Sequence, residues 1–433
     1  MISSPSNNKT CFNNKTFFNM LHITFFLIGL ALTGVLASCG QAPREEGLKR
    51  IDVGTAYASQ ASLKASDYFR KVRYIPLETT EQSLVGNNPE IWIADDHLIV
   101  STEQGCLSFD KESGRFISSI GHKGNDPQGC LSFSGWLNAA AQTIYFPAGN
   151  GRSVIYDTEG NFVGEQKDLD QTDGLFGIDS YDYLDAHILV EHLPATATKP
   201  DRVILFRDTT LIAAFPSHGE PLFPLAKAMA DIEGINVQND KDTGHNIIYI
   251  TFKDGQQNGF IPTEQPFWHV KDRLFFREQF NDTLYQVSPE GLSPVSCLDF
   301  GTIRWDRKDR FNPEKDKAAY PFAIYENERL LWLRFAVNLY HPEELKFYNA
   351  VYDKSRDEVK VSPFKEQVTD DINGFFPLQP TFITPMGEFA QLVSAATLLE
   401  WFDTHADNEA WPEEIKNLRK LTEEDNPVVI LME

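Results

Sequence analysis

An all-β chain of repeated small sheets is the fold class that the sequence predicts, on three observations. Short apolar runs recur from Val72 to the end, each broken by Asp, Asn or Gly turns. An aromatic–Asp pair before a turn recurs at Phe109-Asp110, Tyr156-Asp157 and Tyr352-Asp353, and the runs group with a period of roughly 50 residues. The 433-residue chain is also too long for one ordinary hydrophobic core unless that core is a repeat. Four-stranded units repeated in this way predict a six-bladed β-propeller over residues 71–433, closed by strands from the N- and C-terminal ends and carrying a few short helical insertions. A pair of unrepeated β-sandwich domains is the competing architecture.

The N-terminus predicts export. Lys9 and Lys15 are the only Lys, Arg, Asp or Glu in residues 1–38, and an apolar run from Ile23 follows them. Basic, then apolar, then small residues is the order of a secretory signal peptide. The run is about 16 residues, short for a ~30 Å bilayer core, although a transmembrane helix with a chance Cys at its end is the alternative. Leu36-Ala37-Ser38-Cys39-Gly40 resembles the bacterial lipobox, in which the thiol carries a diacylglycerol and small neighbours admit the peptidase. Residues 1–38 are therefore read as a lipoprotein signal peptide and residues 39–70 as the lipidated Cys39 with a flexible tether. The expected location is the outer membrane, on its periplasmic or surface face, with Cys39 as the contact to the membrane.

The first blade is the clearest. Ile91-Trp-Ile, His97-Leu-Ile-Val, Cys106-Leu-Ser-Phe-Asp and Arg115-Phe-Ile-Ser-Ser-Ile-Gly are four strands joined by Asp and Gly turns. Thr143-Ile-Tyr-Phe, Ser153-Val-Ile-Tyr-Asp and Asn161-Phe-Val form the second. His187-Ile-Leu-Val, Val203-Ile-Leu-Phe-Arg-Asp and Leu211-Ile-Ala-Ala-Phe form the third, and Phe267-Trp-His-Val, Leu274-Phe-Phe and Thr283-Leu-Tyr-Gln-Val the fourth. Leu330-Leu-Trp-Leu-Arg-Phe, Phe347-Tyr-Asn-Ala-Val-Tyr-Asp and Glu358-Val-Lys-Val give the fifth. The sixth draws on both ends: Phe382-Ile-Thr, Phe389-Ala-Gln-Leu-Val and Val428-Val-Ile-Leu-Met, with Lys71-Val-Arg-Tyr-Ile-Pro-Leu-Glu outermost. Pro76 fits an edge strand, where a missing N–H is tolerated. Helical stripes are predicted over Pro412–Leu421, Ala395–Phe402 and Leu222–Ile232.

The formal net charge is −23, and removal of residues 1–38 takes away two lysines and no acids, leaving −25. That excludes nucleic acid as the expected partner, since basic contacts to phosphate dominate such binding. Cys106, Cys130 and Cys297 lack metal-ligand spacing and are expected as buried small side chains, although one disulfide is compatible with export.

Three stretches carry a family resemblance: Val72-Arg-Tyr-Ile-Pro-Leu-Glu-Thr-Thr-Glu-Gln-Ser-Leu-Val-Gly, Phe109-Asp-Lys-Glu-Ser-Gly-Arg-Phe-Ile-Ser-Ser-Ile-Gly and Glu424-Asp-Asn-Pro-Val-Val-Ile-Leu. They are similar to the opening strand, first-blade hairpin and closing strand of the six-bladed β-propeller lipoproteins of Bacteroidota, a family of unknown function with NHL-like architecture. The middle blades match only in rhythm. Where that family favours a Gly-x-Gly-Pro-Gly-Glu-Tyr loop, this chain has Gly124-Asn-Asp-Pro-Gln-Gly-Cys. The resemblance implies the fold, the compartment and a setting beside glycan-uptake systems; it implies no established activity.

Catalytic motifs are missing: there is no Gly-x-Ser-x-Gly elbow, His-Glu-x-x-His pair, Walker loop or Cys-x-x-Cys pair. No catalytic or metal-ligating residue and no cofactor is assigned. Gly124-Asn125-Asp126 suits a calcium or sugar site as well as it suits a turn. The loops between blades, and between the second and third strands of each, hold the candidate ligand-binding residues His122, Asn125, Asp126, Arg152, Arg304 and Trp305. Adjacent Arg304 and Trp305 suit stacking on a sugar or peptide. The expected function is a membrane-anchored binding or interaction propeller for a glycan or protein, accessory to glycan uptake. The alternative is a metal-dependent lactonase or esterase-like hydrolase that uses the central channel.

Overall fold

The structure, a computed structural model, describes residues 47–167, 180–193, 202–216, 231–240, 243–262, 264–312, 314, 317–406 and 408–433. The segment expected as a signal peptide (residues 1–38), Cys39 and nearly all of the predicted helix Leu222–Ile232 lie outside the described residues. Apart from Gly47 and Leu48, the described residues belong to one unit, Lys49–Glu433.

The tether expected up to residue 70 is structured from residue 49. β1 (Lys49–Asp52) leads into the short helix α1 (Val53–Ala58), whose N-cap Asp52 accepts from Thr55 N at 2.9 Å. β2 (Leu63–Lys64), α2 (Ala65–Tyr68) and β3 (Val72–Pro76) follow. The stretch read as polar and patternless because its apolar residues stand apart, yet Ile51, Val53, Leu63, Tyr68 and Phe69 are all buried. Ile51 and Val53 fill the seam between the fourth and fifth sheets and Leu63, Tyr68 and Phe69 that between the fifth and sixth, spread along an irregular segment that shows no periodicity.

Among the described residues, five sheets are four-stranded and antiparallel, and one more has four antiparallel strands with a fifth added in parallel. The first is β4 (Glu90–Ala94), β5 (His97–Ser101), β6 (Cys106–Asp110) and β7 (Phe116–Ser119). The second is β8 (Trp136–Asn138), β9 (Thr143–Ala148), β10 (Arg152–Asp157) and β11 (Phe162–Lys167). The third is β12 (Ser180–Tyr183), β13 (Ile188–Leu193), β14 (Arg202–Arg207) and β15 (Thr210–Pro216). A separate three-stranded sheet, β16 (Ile232–Asn239), β17 (Asn246–Phe252) and β18 (Gln257–Phe260), was not anticipated from the sequence. The fourth sheet is β19 (Phe267–Val270), β20 (Arg273–Phe276), β21 (Thr283–Ser288) and β22 (Gly291–Asp299), with β1 added in parallel to β22. The fifth is β23 (Ala319–Glu326), β24 (Leu330–Val337), β25 (Lys346–Asp353) and β26 (Glu358–Pro363).

After β27 (Val368–Thr369), which pairs in parallel with β2, the sixth sheet runs β28 (Phe382–Ile383), β29 (Phe389–Val393), β30 (Val428–Met432) and then back to β3. Val72 stands opposite Met432 and Pro76 opposite Val428. All five residues of β30 are 0% exposed, as its unbroken apolar run requires. Two helices, α3 (Ala395–Thr404) and α4 (Glu413–Asn417), fall where their stripes predicted and lie between β29 and β30. None of the helices among the described residues is long and apolar enough to cross a membrane.

An apolar seam joins each sheet to the next. Ile99 and Cys106 of the first meet Ile144 and Phe146 of the second, and Tyr145 meets Tyr183 and Leu189 of the third. Val190 packs with Leu274 and Phe276 of the fourth, and Val270 and Phe275 pack with Leu333 and Phe335 of the fifth. Trp332 and Val351 pack with Phe389 and Ile430 of the sixth. Ala390, Val429 and Leu431 of the sixth then pack on Ile91, Leu98 and Phe109 of the first, and β28 lies against β4.

Candidate functional site

Four of the six candidate residues come together on one loop and its neighbour strand. The loop after β7 turns at Gly121, which has φ +70° and leaves a Cβ only 3.2 Å from the Tyr156 ring. Cys130 N donates to the oxygen of His122 at 3.0 Å, which folds the loop back on itself. His122 Nε2 pairs with Asp126 Oδ2 at 2.8 Å, and this bond holds the Asp126 carboxyl below its ordinary pKa. Asp126 Oδ1 also accepts from Gln128 N at 3.0 Å, as a turn aspartate does. From the second sheet, Arg152 Nη1 donates to the oxygen of Pro127 at 3.0 Å and to Glu165 at 2.9 Å, and Tyr156 OH donates to the oxygen of Gln128 at 2.7 Å. His122, Asn125 and Asp126 are exposed, so the result is a pinned polar surface.

Arg304 and Trp305 lie elsewhere and do not form the stacking pair expected of them. Trp305 is only 4% exposed; its Nε1 donates to the oxygen of Asp309 at 3.3 Å and its ring meets Phe280 and Tyr340 edge-on. Arg304 pairs with Asp282 and Asp306. Trp305 is a core residue because the three-stranded sheet, unseen in the sequence, supplies the cluster that covers it.

Beneath that segment lies a buried polar network. Glu264 accepts from Arg277 Nη2 at 2.5 Å, Gln279 Nε2 at 2.6 Å and Tyr320 OH at 2.5 Å. Burial pushes the Glu264 carboxyl up in pKa, against the pull of Arg277 and these hydrogen bonds. Three donors, two from the segment after β20 and one from β23, meet on one buried carboxylate, so the network ties these segments together. The Arg277-Glu278-Gln279 run after an apolar strand was its only sequence trace. His192 also stays neutral: burial, with Arg307 nearby, lowers its pKa to about 4. Among the described residues, no three His, Cys, Asp or Glu side chains are placed to hold a metal ion together. Cys106, Cys130 and Cys297 are free thiols.

The aromatic surface that sequence reading missed is at Trp136. This residue opens β8, directly after the His122 loop, and stacks on Tyr145 (centroids 4.3 Å, planes 8° apart) and on Tyr181 of β12 (6.2 Å, 17°). Trp136 and Tyr181 are half-buried, on the first strands of adjacent sheets. Nearby, His269 of β19 stacks on Tyr183 at 4.2 Å and its Nε2 pairs with Asp182 Oδ1 at 2.7 Å. β8 has only three residues and β12 only four, with a polar residue between its aromatics, so neither carried an apolar run to announce it.

No curated protein matches the chain. Among solved structures, the fold resembles that of a Bacteroides fragilis protein described as exported, 14% identical, with a TM-score of 0.58 over 89% of this chain and 99% of that one. At that identity the likeness is one of fold alone. The C-terminal WD40 domain of Sif2 (11% identity, TM-score 0.28, 66% of this chain and 73% of that one) and a eukaryotic initiation factor (7%, 0.30, 77% and 86%) also match. The family described as "Domain of unknown function (DUF4934)" matches residues 48–433, from the residue before β1 to the last of the chain, and the chain belongs to that family.

Proposed function

We propose that this chain is an exported, lipid-anchored β-propeller of six blades that binds a ligand and does not turn it over. The six sheets are the blades, in chain order, and the seam between sixth and first closes the ring. The ligand class that fits best is a glycan, in keeping with an accessory role in glycan uptake. The observation that carries this reading is the stack of Trp136 on Tyr145 and Tyr181. Half-buried aromatic rings offer a flat apolar surface with polar edges, the surface that sugar rings pack on. The His122–Asp126 loop, pinned by Arg152 and Tyr156 on the face of the second sheet turned toward the first, offers a separate set of exposed hydrogen-bonding groups. The lipid at Cys39 holds the protein to the outer membrane, since a surface of this acidity is repelled by anionic lipid.

Glycan arrays probed with residues 40–433 test the reading. Binding is expected, and Trp136→Ala is expected to weaken it at least tenfold, about 1.4 kcal/mol. Binding that survives Trp136→Ala unchanged would contradict the site, and robust turnover of a bound ester, lactone or glycan would contradict the function.

A further inference from the structure

Arg334, in the middle of β24, is 2% exposed, and no carboxylate pairs with it among the described residues. It sits where one face of the fifth sheet passes from the seam with the sixth sheet to the cover of the three-stranded sheet. Trp332, two residues before it, belongs to the first cluster and Ala336, two after it, to the second. Its guanidinium rests on the rings of Phe364 at 4.9 Å and Tyr325 at 5.5 Å, and Nη2 donates to the oxygen of Pro380. Its Nε is buried and has no acceptor.

The neighbouring amides are oriented by a donor that cannot be reversed. Trp332 Nε1–H can only donate, so the Asn349 oxygen must face it, at 3.0 Å. That turns Asn349 Nδ2 toward Gln379 Oε1 at 3.4 Å, which leaves Gln379 Nε2 pointing away, buried and without an acceptor. Gln379 is bonded to Pro380, the residue whose oxygen caps Arg334. A buried cation without a counter-charge therefore stands beside two donors, one on each residue, with nothing to accept from them. Buried charge and buried donors are normally compensated, and both deficits have the same sign. Among the described residues, the titratable side chains acting on this group are Tyr325, whose ring the guanidinium rests on, and His245, which burial and Arg334 hold at a pKa of about 4, so neither adds a second positive charge.

We propose that Arg334 Nε and Gln379 Nε2 bind a small monovalent inorganic anion of the size of chloride, locked between the fifth sheet and the loop that carries Gln379 and Pro380. A single fixed cation and two donors suit one negative charge; a phosphate dianion would be left half-neutralised. The ion would tie that loop to β24 and so support the joint between the fifth and sixth sheets.

Crystals of the mature chain soaked in sodium bromide give the direct test. Anomalous density within hydrogen-bond reach of both nitrogens is expected; a water there, or bromide at surface sites only, would overturn the proposal. Thermal melts in sodium chloride and in sodium gluconate at equal ionic strength give a second. A higher melting temperature in chloride is expected for the wild type, and Gln379→Leu and Arg334→Met are expected to erase the difference. Equal melts in the two salts, or a chloride increment that persists in Gln379→Leu, would refute it even if Arg334→Met fails to fold.

Discussion

The side-chain amide of Asn426 donates to the main-chain oxygen of Glu78 at 2.7 Å, joining residues 348 positions apart. The same amide donates to the oxygen of Ser83 at 2.7 Å, and its Oδ1 accepts from Val85 N at 2.8 Å. Asn426 is 3% exposed and lies two residues before β30, so one side chain sews the segment after β3 to the entry of β30. Asn426→Ala would leave buried groups on both partners unpaired, at a cost of about 2–4 kcal/mol. A calorimetric melt several degrees below wild type is expected; an unchanged melt would mean that the two ends are held by β30 alone.

The strap formed by residues 49–70 makes its own prediction. A Cβ on Gly54 would stand 2.6 Å from the main-chain carbon and oxygen of Phe300, so α1 can lie against the fourth sheet only with glycine there. Gly54→Ala is expected to cost about 1–3 kcal/mol through overpacking. Gly149→Ala, where an added Cβ meets nothing within 4 Å, is the control and is expected to melt close to wild type. Equal melts for the two variants would detach the strap from the core.

Acid should weaken the fold through His192. Its folded pKa is about 4 against an ordinary 6.5, chiefly because burial disfavours the charged ring. Between those values the unfolded chain takes up a proton that the folded chain refuses. Stability is thus fully present above pH 6.5 and falls as the pH drops toward 4, by roughly 2–3 kcal/mol for this group. His245, lowered in the same way, adds to the loss. His192→Phe keeps a ring against Phe276 and removes one titration, so its melting temperature should fall less between pH 7 and pH 4.5. A parallel decline in both proteins would exclude His192 as a source.

How much of this was legible in the sequence depended on whether a segment's neighbours were local. The first sheet was read strand for strand, because its apolar runs alternate with Asp and Gly turns over 30 consecutive residues. The sixth was assembled correctly from both chain ends, since Val428–Met432 admits no reading but a buried strand. Residues 49–70 were misjudged as tether, because their buried side chains fill seams belonging to three different sheets. β23 was missed where Pro321 and the adjacent register shift interrupt its pattern. At the candidate site the His122–Asp126–Arg152 grouping was visible as loop chemistry, but Trp305 was not recognisable as core without the three-stranded sheet above it. The stack at Trp136 joins strands 45 residues apart that carry no apolar run, and Arg334 lay inside a strand whose other residues are apolar.

The central claim is a ring closed by the pairing of β3 with β30, and removal of residues 427–433 tests it most directly. That deletion strips the sixth sheet of its fully buried strand and leaves Val72–Pro76 and Phe389–Val393 without their shared partner. Edges exposed in this way aggregate or melt. Thermal melts of residues 40–433 and 40–426 are the measurement: the shorter chain is expected to aggregate or to unfold well below the longer one. A difference of less than about 2 °C, smaller than a loss of even 1 kcal/mol usually produces, would contradict the closed ring.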